Sequence, residues 1–231
     1  MKQRPILFKS SMVRAILSGK KTQTRRIVKP HRSDDAFCLQ DFNDGNGWWP
    51  YRSYDGESPF MDGNEYPIPC PFGAVGDQLW VRETWQYYDW TEDGMPCIRY
   101  ATGNQTMWAE NADESAEDQW EILSRPANYN IDNRASDRKW RPSIHMPRWA
   151  SRITLEITSI RVERLNDISE DDALSEGAIP INCDHVRQTC NEIGCYGDTA
   201  KAAFRGIWES TGGNWEANPW VWVIEFKRVE Q

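Results

Sequence analysis

The sequence predicts an α+β fold: a bent sheet with a few short helices and large irregular insertions. Three observations predict it. The chain closes on Trp220, Trp222, Ile224 and Phe226 alternating with Val221, Val223, Glu225 and Lys227, the period of a strand. Two segments, near residues 12–17 and 200–208, space their apolar residues by three and four, the period of a helix. Strands and helices do not alternate regularly, and neither GxGxxG nor a Walker-type loop is present, which excludes a doubly wound nucleotide-binding sheet. At 231 residues the chain is long enough for a substantial core. It is read as one domain over 1–231 with insertions at about 30–72, 93–139 and 178–197.

Each element has a local cause. Pro5 to Phe8 forms a short strand. Ser10 or Ser11 caps a helix whose apolar face is Met12, Val13, Ile16 and Leu17, and Gly19 ends it in a left-handed conformation. Lys20 to Val28 reads as loop into strand. Residues 30–72 have no steady period, and a loop of that length is unusual inside a domain. A Gly76-Asp77 turn precedes a strand at Leu79–Arg82. Residues 104–123 are acidic and read as an exposed helix or insert. Ile153, Leu155 and Ile157 alternate with Thr154, Glu156 and Thr158 as a half-buried strand. Its apolar phase then slips to Ile160 and Val162, as at a bulge. Asn166 or Asp167 caps the next helix, with Glu170, Asp171 and Asp172 near its first turn and Gly177 at its end. Asp198 or Thr199 caps the last helix, whose inner face is Ala200, Ala203, Phe204, Ile207 and Trp208.

Composition narrows the function classes. Hydrophobic residues make up 39% and charged residues 27%, with thirteen tryptophans, which excludes a disordered chain. No apolar run approaches a membrane span, and the six cysteines read as free thiols, so a cytoplasmic location is expected. Net charge is −8, against general adhesion to nucleic acid. Residues 1–33, however, carry ten bases and no acid, which suggests a local anion-binding surface or else a solvated basic terminus.

Four residue sets could carry chemistry. Lys21, Thr24, Arg25 and Arg26 offer a hydroxyl and a lysine whose cationic neighbours favour its neutral form, the requirement for a base. Lys21 and Thr24 converge only if residues 20–23 are still turning out of the helix. The alternative is a Thr/Arg-rich edge strand facing water. Glu176 ends its helix where the dipole disfavours negative charge, a placement useful for proton transfer, or else for a frayed exposed end. Glu83 shares a face with Leu79 and Val81, and a buried glutamate there needs an arginine. Trp80, Arg82, Trp85, Trp140, Arg141, His145, Arg148, Trp149 and Arg152 mix aromatics with cations as base-stacking platforms do. Trp220 and Trp222 read as core, while Trp140 and Trp149 stay open. Cys183, His185, Cys190 and Cys195 could ligate zinc, but their spacing matches no paired-ligand pattern, so no metal or other cofactor is assigned.

Ala15-Ile16-Leu17-Ser18-Gly19-Lys20-Lys21-Thr22-Gln23-Thr24-Arg25-Arg26, Gly76-Asp77, the helix Ile168 to Gly177 and the closing Trp222-Val223-Ile224-Glu225-Phe226 together resemble the ASCH domain family. The run from Trp140 to Ala150 is similar to larger members found in bacteriophages and prophages. The resemblance implies a PUA-like bent β-barrel with flanking helices that binds a nucleoside or RNA. Small members of the family are hydrolases that remove the acetyl group of N4-acetylcytidine. Their lysine, threonine and glutamate fall on Lys21, Thr24 and Glu176, which implies a base, a nucleophile and a proton donor. Arg25, Arg26, Trp80, Arg82, Glu83 and Arg148 are then expected to bind the substrate. The alternative is a non-catalytic nucleic-acid binder or a phage protein acting on a host protein.

Overall fold

A computed structural model describes residues 1–29, 36–41, 48–53, 67–90, 96–103, 105–108, 139–180 and 199–229. They form two compact units. The first comprises Met1–Leu17, Asp77–Glu156 and Arg228–Gln231; the second comprises Ser18–Gly76 and Ile157–Lys227.

In the first unit, β1 (Gln3–Leu7) pairs in parallel with β5 (Gln78–Arg82), Gln3 standing opposite Gln78. Strand β5 pairs antiparallel with residues 154–156 of β9 (Thr154–Arg164). Asp77 fixes the register, accepting from the Lys2 backbone N–H at 2.7 Å and from the Arg4 guanidinium at 2.9 Å. The positive φ of Gly76, 86°, makes the turn before the strand, as its sequence requires. Helix α1 (Ser10–Leu17) buries Val13 and Ile16. Strands β6 (Trp85–Trp90), β7 (Pro96–Tyr100) and β8 (Thr106–Trp108) form an antiparallel meander. Trp85, Tyr87, Ile98, Tyr100, Met146, Trp149 and Ala150 pack as its core. Trp149 is therefore structural, whereas Trp140 is half exposed.

In the second unit, β2 (Gln23–Ile27) pairs antiparallel with β10 (Trp220–Val229), and the strand order is β9-β10-β2. Strand β2 ends that order, as the alternative reading of an edge strand has it, but it does not face water there: Gln23, Thr24 and Arg25 are all buried. On β10, Val221, Trp222, Val223 and Ile224 are all buried, so both of its faces are covered there. Trp220, expected in the core, is only half-buried, with the Arg164 guanidinium 4.4 Å from its ring centre. The aperiodic 30–72 stretch contains a hairpin, β3 (Ala36–Asp41) against β4 (Trp48–Ser53). Trp49 meets Trp222 edge-on with ring centres 5.1 Å apart, so an aromatic contact supplies what polar–apolar alternation does not.

Helix α2 (Glu170–Ser175) is capped by Ser169, whose hydroxyl accepts from the Asp172 N–H at 3.1 Å; Asn166 and Asp167 lie in a preceding 3-10 turn. Helix α3 (Ala200–Ser210) is capped by Thr199 and packs Phe204 and Trp208 with Trp215, Val221 and Val223. The architecture is α+β. No pairing among the described strands closes a sheet into a barrel. Among the described residues no helix is long and apolar enough to cross a membrane. The zinc candidates Cys183, His185, Cys190 and Cys195 lie outside the described residues.

Candidate active site

The geometry begins at the end of α2. Gly177 has φ 82°, and its N–H bonds to the Leu174 carbonyl while the Ala178 N–H bonds to that of Ala173. This pair of crossed bonds is the Schellman closure, which needs a left-handed residue after the cap. It leaves the last two carbonyls of the turn for other partners. The Thr22 N–H takes Ser175 at 2.8 Å, and the Lys21 Nζ takes Glu176 at 2.9 Å. Lys21 and Glu176 thus form an isolated antiparallel bridge although 155 residues separate them. Lys21 precedes the regular part of β2, so the strand's alternation of faces begins only after it.

Lys21 Nζ also donates to Glu176 Oε2 at 2.5 Å, and both side chains are almost wholly buried. Burial pushes the Lys21 ammonium below the ordinary lysine range; the Glu176 carboxylate opposes this, while Arg26 and Arg25 reinforce it. Arg25 has no exposed side-chain surface and sits among acceptors. One terminal nitrogen donates to Gln23 Oε1 and, at 3.4 Å, to Glu176 Oε1. The other donates to Glu163 and, at 3.0 Å, to Asp172. Gln23 donates onward to Asp172 at 3.0 Å and to Glu225 at 3.4 Å. Arg161 completes the ring on Asp172 at 2.8 Å, Glu163 at 3.2 Å and Glu225. Burial raises the Asp172 carboxyl, but Gln23, Arg161 and Arg25 outweigh it and hold the group below the usual carboxylate range.

Thr24 is buried and stands opposite Ile224. Alternation puts its side chain on the other face of β2 from Gln23 and Arg25, the face of Arg26. That face still feels the glutamate: burial lowers the Arg26 pKa and the Glu176 charge opposes it. Of the sequence candidates, Lys21, Arg25 and Glu176 are therefore in contact, with Arg26 in their field and Thr24 buried on the same strand. Gln23, Glu163, Asp172 and Glu225 escaped sequence reasoning. The only available hint was that a buried arginine needs more than one acceptor.

The remaining candidates belong to the first unit. Trp80 is 7% exposed, and the guanidiniums of Arg82 and Arg148 lie 4.6 and 5.9 Å from its ring centre. Arg82 donates to the Ile144 carbonyl at 3.2 Å and Arg148 to Gln3 at 3.0 Å. Arg141 lies 4.9 Å from the Tyr87 ring centre. None of these three arginines has a carboxylate partner among the described residues. Glu83, by contrast, is 1% exposed and held by Arg152 through bonds of 2.8 and 3.0 Å, with Thr102 donating to the same carboxylate. The arginine that its burial demanded is Arg152. Among the described residues no cluster of His, Cys, Asp and Glu could hold a metal ion.

No protein-family profile matches the chain, and no curated protein does. A solved structure, the ASCH domain from Lactobacillus crispatus JV V101, is similar over 98% of this chain and 79% of that one, at 13% identity and a TM-score of 0.32.

Proposed function

We propose that the second unit carries an ASCH-type site that binds a nucleoside, free or within RNA, and hydrolyses an amide on its base, N4-acetylcytidine being the substrate to try first. The buried Lys21–Glu176 contact is the observation that carries this reading, because it joins a lysine with a lowered pKa to a carboxyl group in a dry setting. In the neutral form Lys21 accepts the Thr24 hydroxyl proton as Oγ1 attacks the acetyl carbonyl. The tetrahedral adduct collapses, the C–N bond breaks, and protonated Glu176 gives its proton to the departing amine. Water then hydrolyses the acetyl ester on Thr24, releasing acetate and restoring the hydroxyl. The site's own ion pair supplies the starting state: passing one proton from Lys21 to Glu176 generates the base and the acid together. Thr24→Ala is expected to abolish release of acetate from acetylated cytidine, followed by mass spectrometry, while the melting temperature changes little. Undiminished turnover in that variant removes Thr24 from the role.

A second reading is a non-catalytic binder of nucleic acid. Arg82, Arg141 and Arg148, which have no carboxylate partner among the described residues, and the half-exposed Trp140 favour it. Stacking on an aromatic side chain is worth about 1–3 kcal/mol per base, and phosphate contacts make binding salt-dependent. This reading expects a labelled single-stranded RNA to bind at low salt, with Trp140→Ala weakening it at least fivefold and no product formed. Failure to bind at low salt removes it.

A further inference from the structure

We infer that Arg25 is a positioning residue for Glu176 rather than a ligand for substrate phosphate. The inference rests on the hydrolase reading above, because positioning Glu176 matters to turnover only if Glu176 moves a proton. Three observations carry it. The Arg25 side chain has no exposed surface. Its two terminal nitrogens are divided: one holds Gln23 and Glu176, the other Glu163 and Asp172. Finally, the guanidinium lies 5.8 Å from the centre of the buried Phe204 ring, which packs against it as well.

The division has a consequence for charge. Arg25 stands closer to Glu163 and Asp172 than to Glu176, which it meets at 3.4 Å. Two carboxylates therefore take its closer contacts, and the longer third contact fixes where Oε1 sits. Oε2 remains for Lys21. Arg161, shared between Glu163, Asp172 and Glu225, balances the surplus acid on the far side of the cage. A planar fork can bridge these partners at once, whereas a lysine ammonium is a single point charge on a flexible stem.

The test uses the full chain with two variants. Arg25→Lys keeps the charge and loses the fork. The triple variant Arg25→Gln, Glu163→Gln, Asp172→Asn removes the cage while keeping its shape and leaving Lys21 paired with Glu176 and Arg161 with Glu225, so it remains decisive if the first variant does not fold. With acetylated cytidine, the expected result is a kcat at least tenfold lower, KM within about twofold, and a displaced pH profile of kcat. The NMR chemical shift of the Glu176 side-chain carboxyl carbon is expected to differ from that of the native protein at the same pH. A lower melting temperature with kcat, pH profile and carboxyl chemical shift all unchanged makes Arg25 purely structural and overturns the inference. If the native protein turns over no acetylated nucleoside, the hydrolase reading falls. The carboxyl chemical shift then decides by itself: changed, it retains Arg25 as the group that holds Glu176; unchanged, it ends that role too.

Discussion

The two units employ arginine in opposite ways. In the second unit, Arg25 and Arg161 are enclosed by carboxylates in a cage that is buried at its centre and opens to water at its rim. In the first, Arg82, Arg141 and Arg148 lie on the faces of Trp80, Trp85 and Tyr87 and have no carboxylate partner among the described residues. The lesson is that a guanidinium costs little to order where an aromatic face and one carbonyl suffice, and much to bury where only anions satisfy it. The caged arrangement is accordingly intolerant of change, and the stacked one rests on weaker, more replaceable contacts.

Substitution sharpens the contrast most strongly at Lys21. Lys21→Met leaves Glu176 buried without its ammonium, and urea unfolding is expected to show a loss of about 3–5 kcal/mol, the cost of breaking a buried pair from one side. A loss below about 1 kcal/mol shows that the cage tolerates damage as the stacked arginines do. Next in size is Arg148→Met, expected to cost about 0.5–1 kcal/mol, because it removes one stack and one hydrogen bond at the surface. A cost equal to that of Lys21→Met breaks the contrast. Smallest is Trp140→Ala, expected within about 0.5 kcal/mol because the side chain is half exposed.

The pH dependence of the second unit has signs that follow from the direction of each shift. Lys21 has a folded pKa below the unfolded value of 10.5, so the unfolded chain holds more protons between the two values and this term adds stability as pH rises through that window. On the hydrolase reading, turnover falls as pH rises through the same lowered value, because the proton lost there is the one that Glu176 must give to the departing amine. Asp172 is depressed below 3.8, so its contribution is complete above 3.8 and is lost as pH falls through the folded value. Acid unfolding monitored by circular dichroism, in native protein and Asp172→Asn, checks this. The variant is expected to lose less stability on acidification.

Much of this was legible in the sequence where a residue's demand is local. The period of Trp220 to Phe226, the three-and-four spacing of Ala200 to Trp208 and the glycines at 19, 76 and 177 each specify their own conformation, and the structure agrees. The Ser169 cap was missed because Asn166 and Asp167 are equally good cap residues, and only the intervening 3-10 turn selects between them. The β3–β4 hairpin was missed because its stabilising contact, Trp49 on Trp222, is made with a strand 173 positions away. For the site, the lysine and the glutamate were visible and the cage was not. Glu163, Asp172 and Glu225 look like ordinary surface acids until strand pairing and the helix end gather them around Arg25.

Gly177 carries no functional group, yet it decides whether the ε-amine of Lys21 finds its acceptor. A side chain there strains the left-handed turn, and unwinding that turn would draw the Glu176 carbonyl and carboxyl away together. Mutagenesis confined to reactive side chains would pass over the hinge pin on which the bridge hangs.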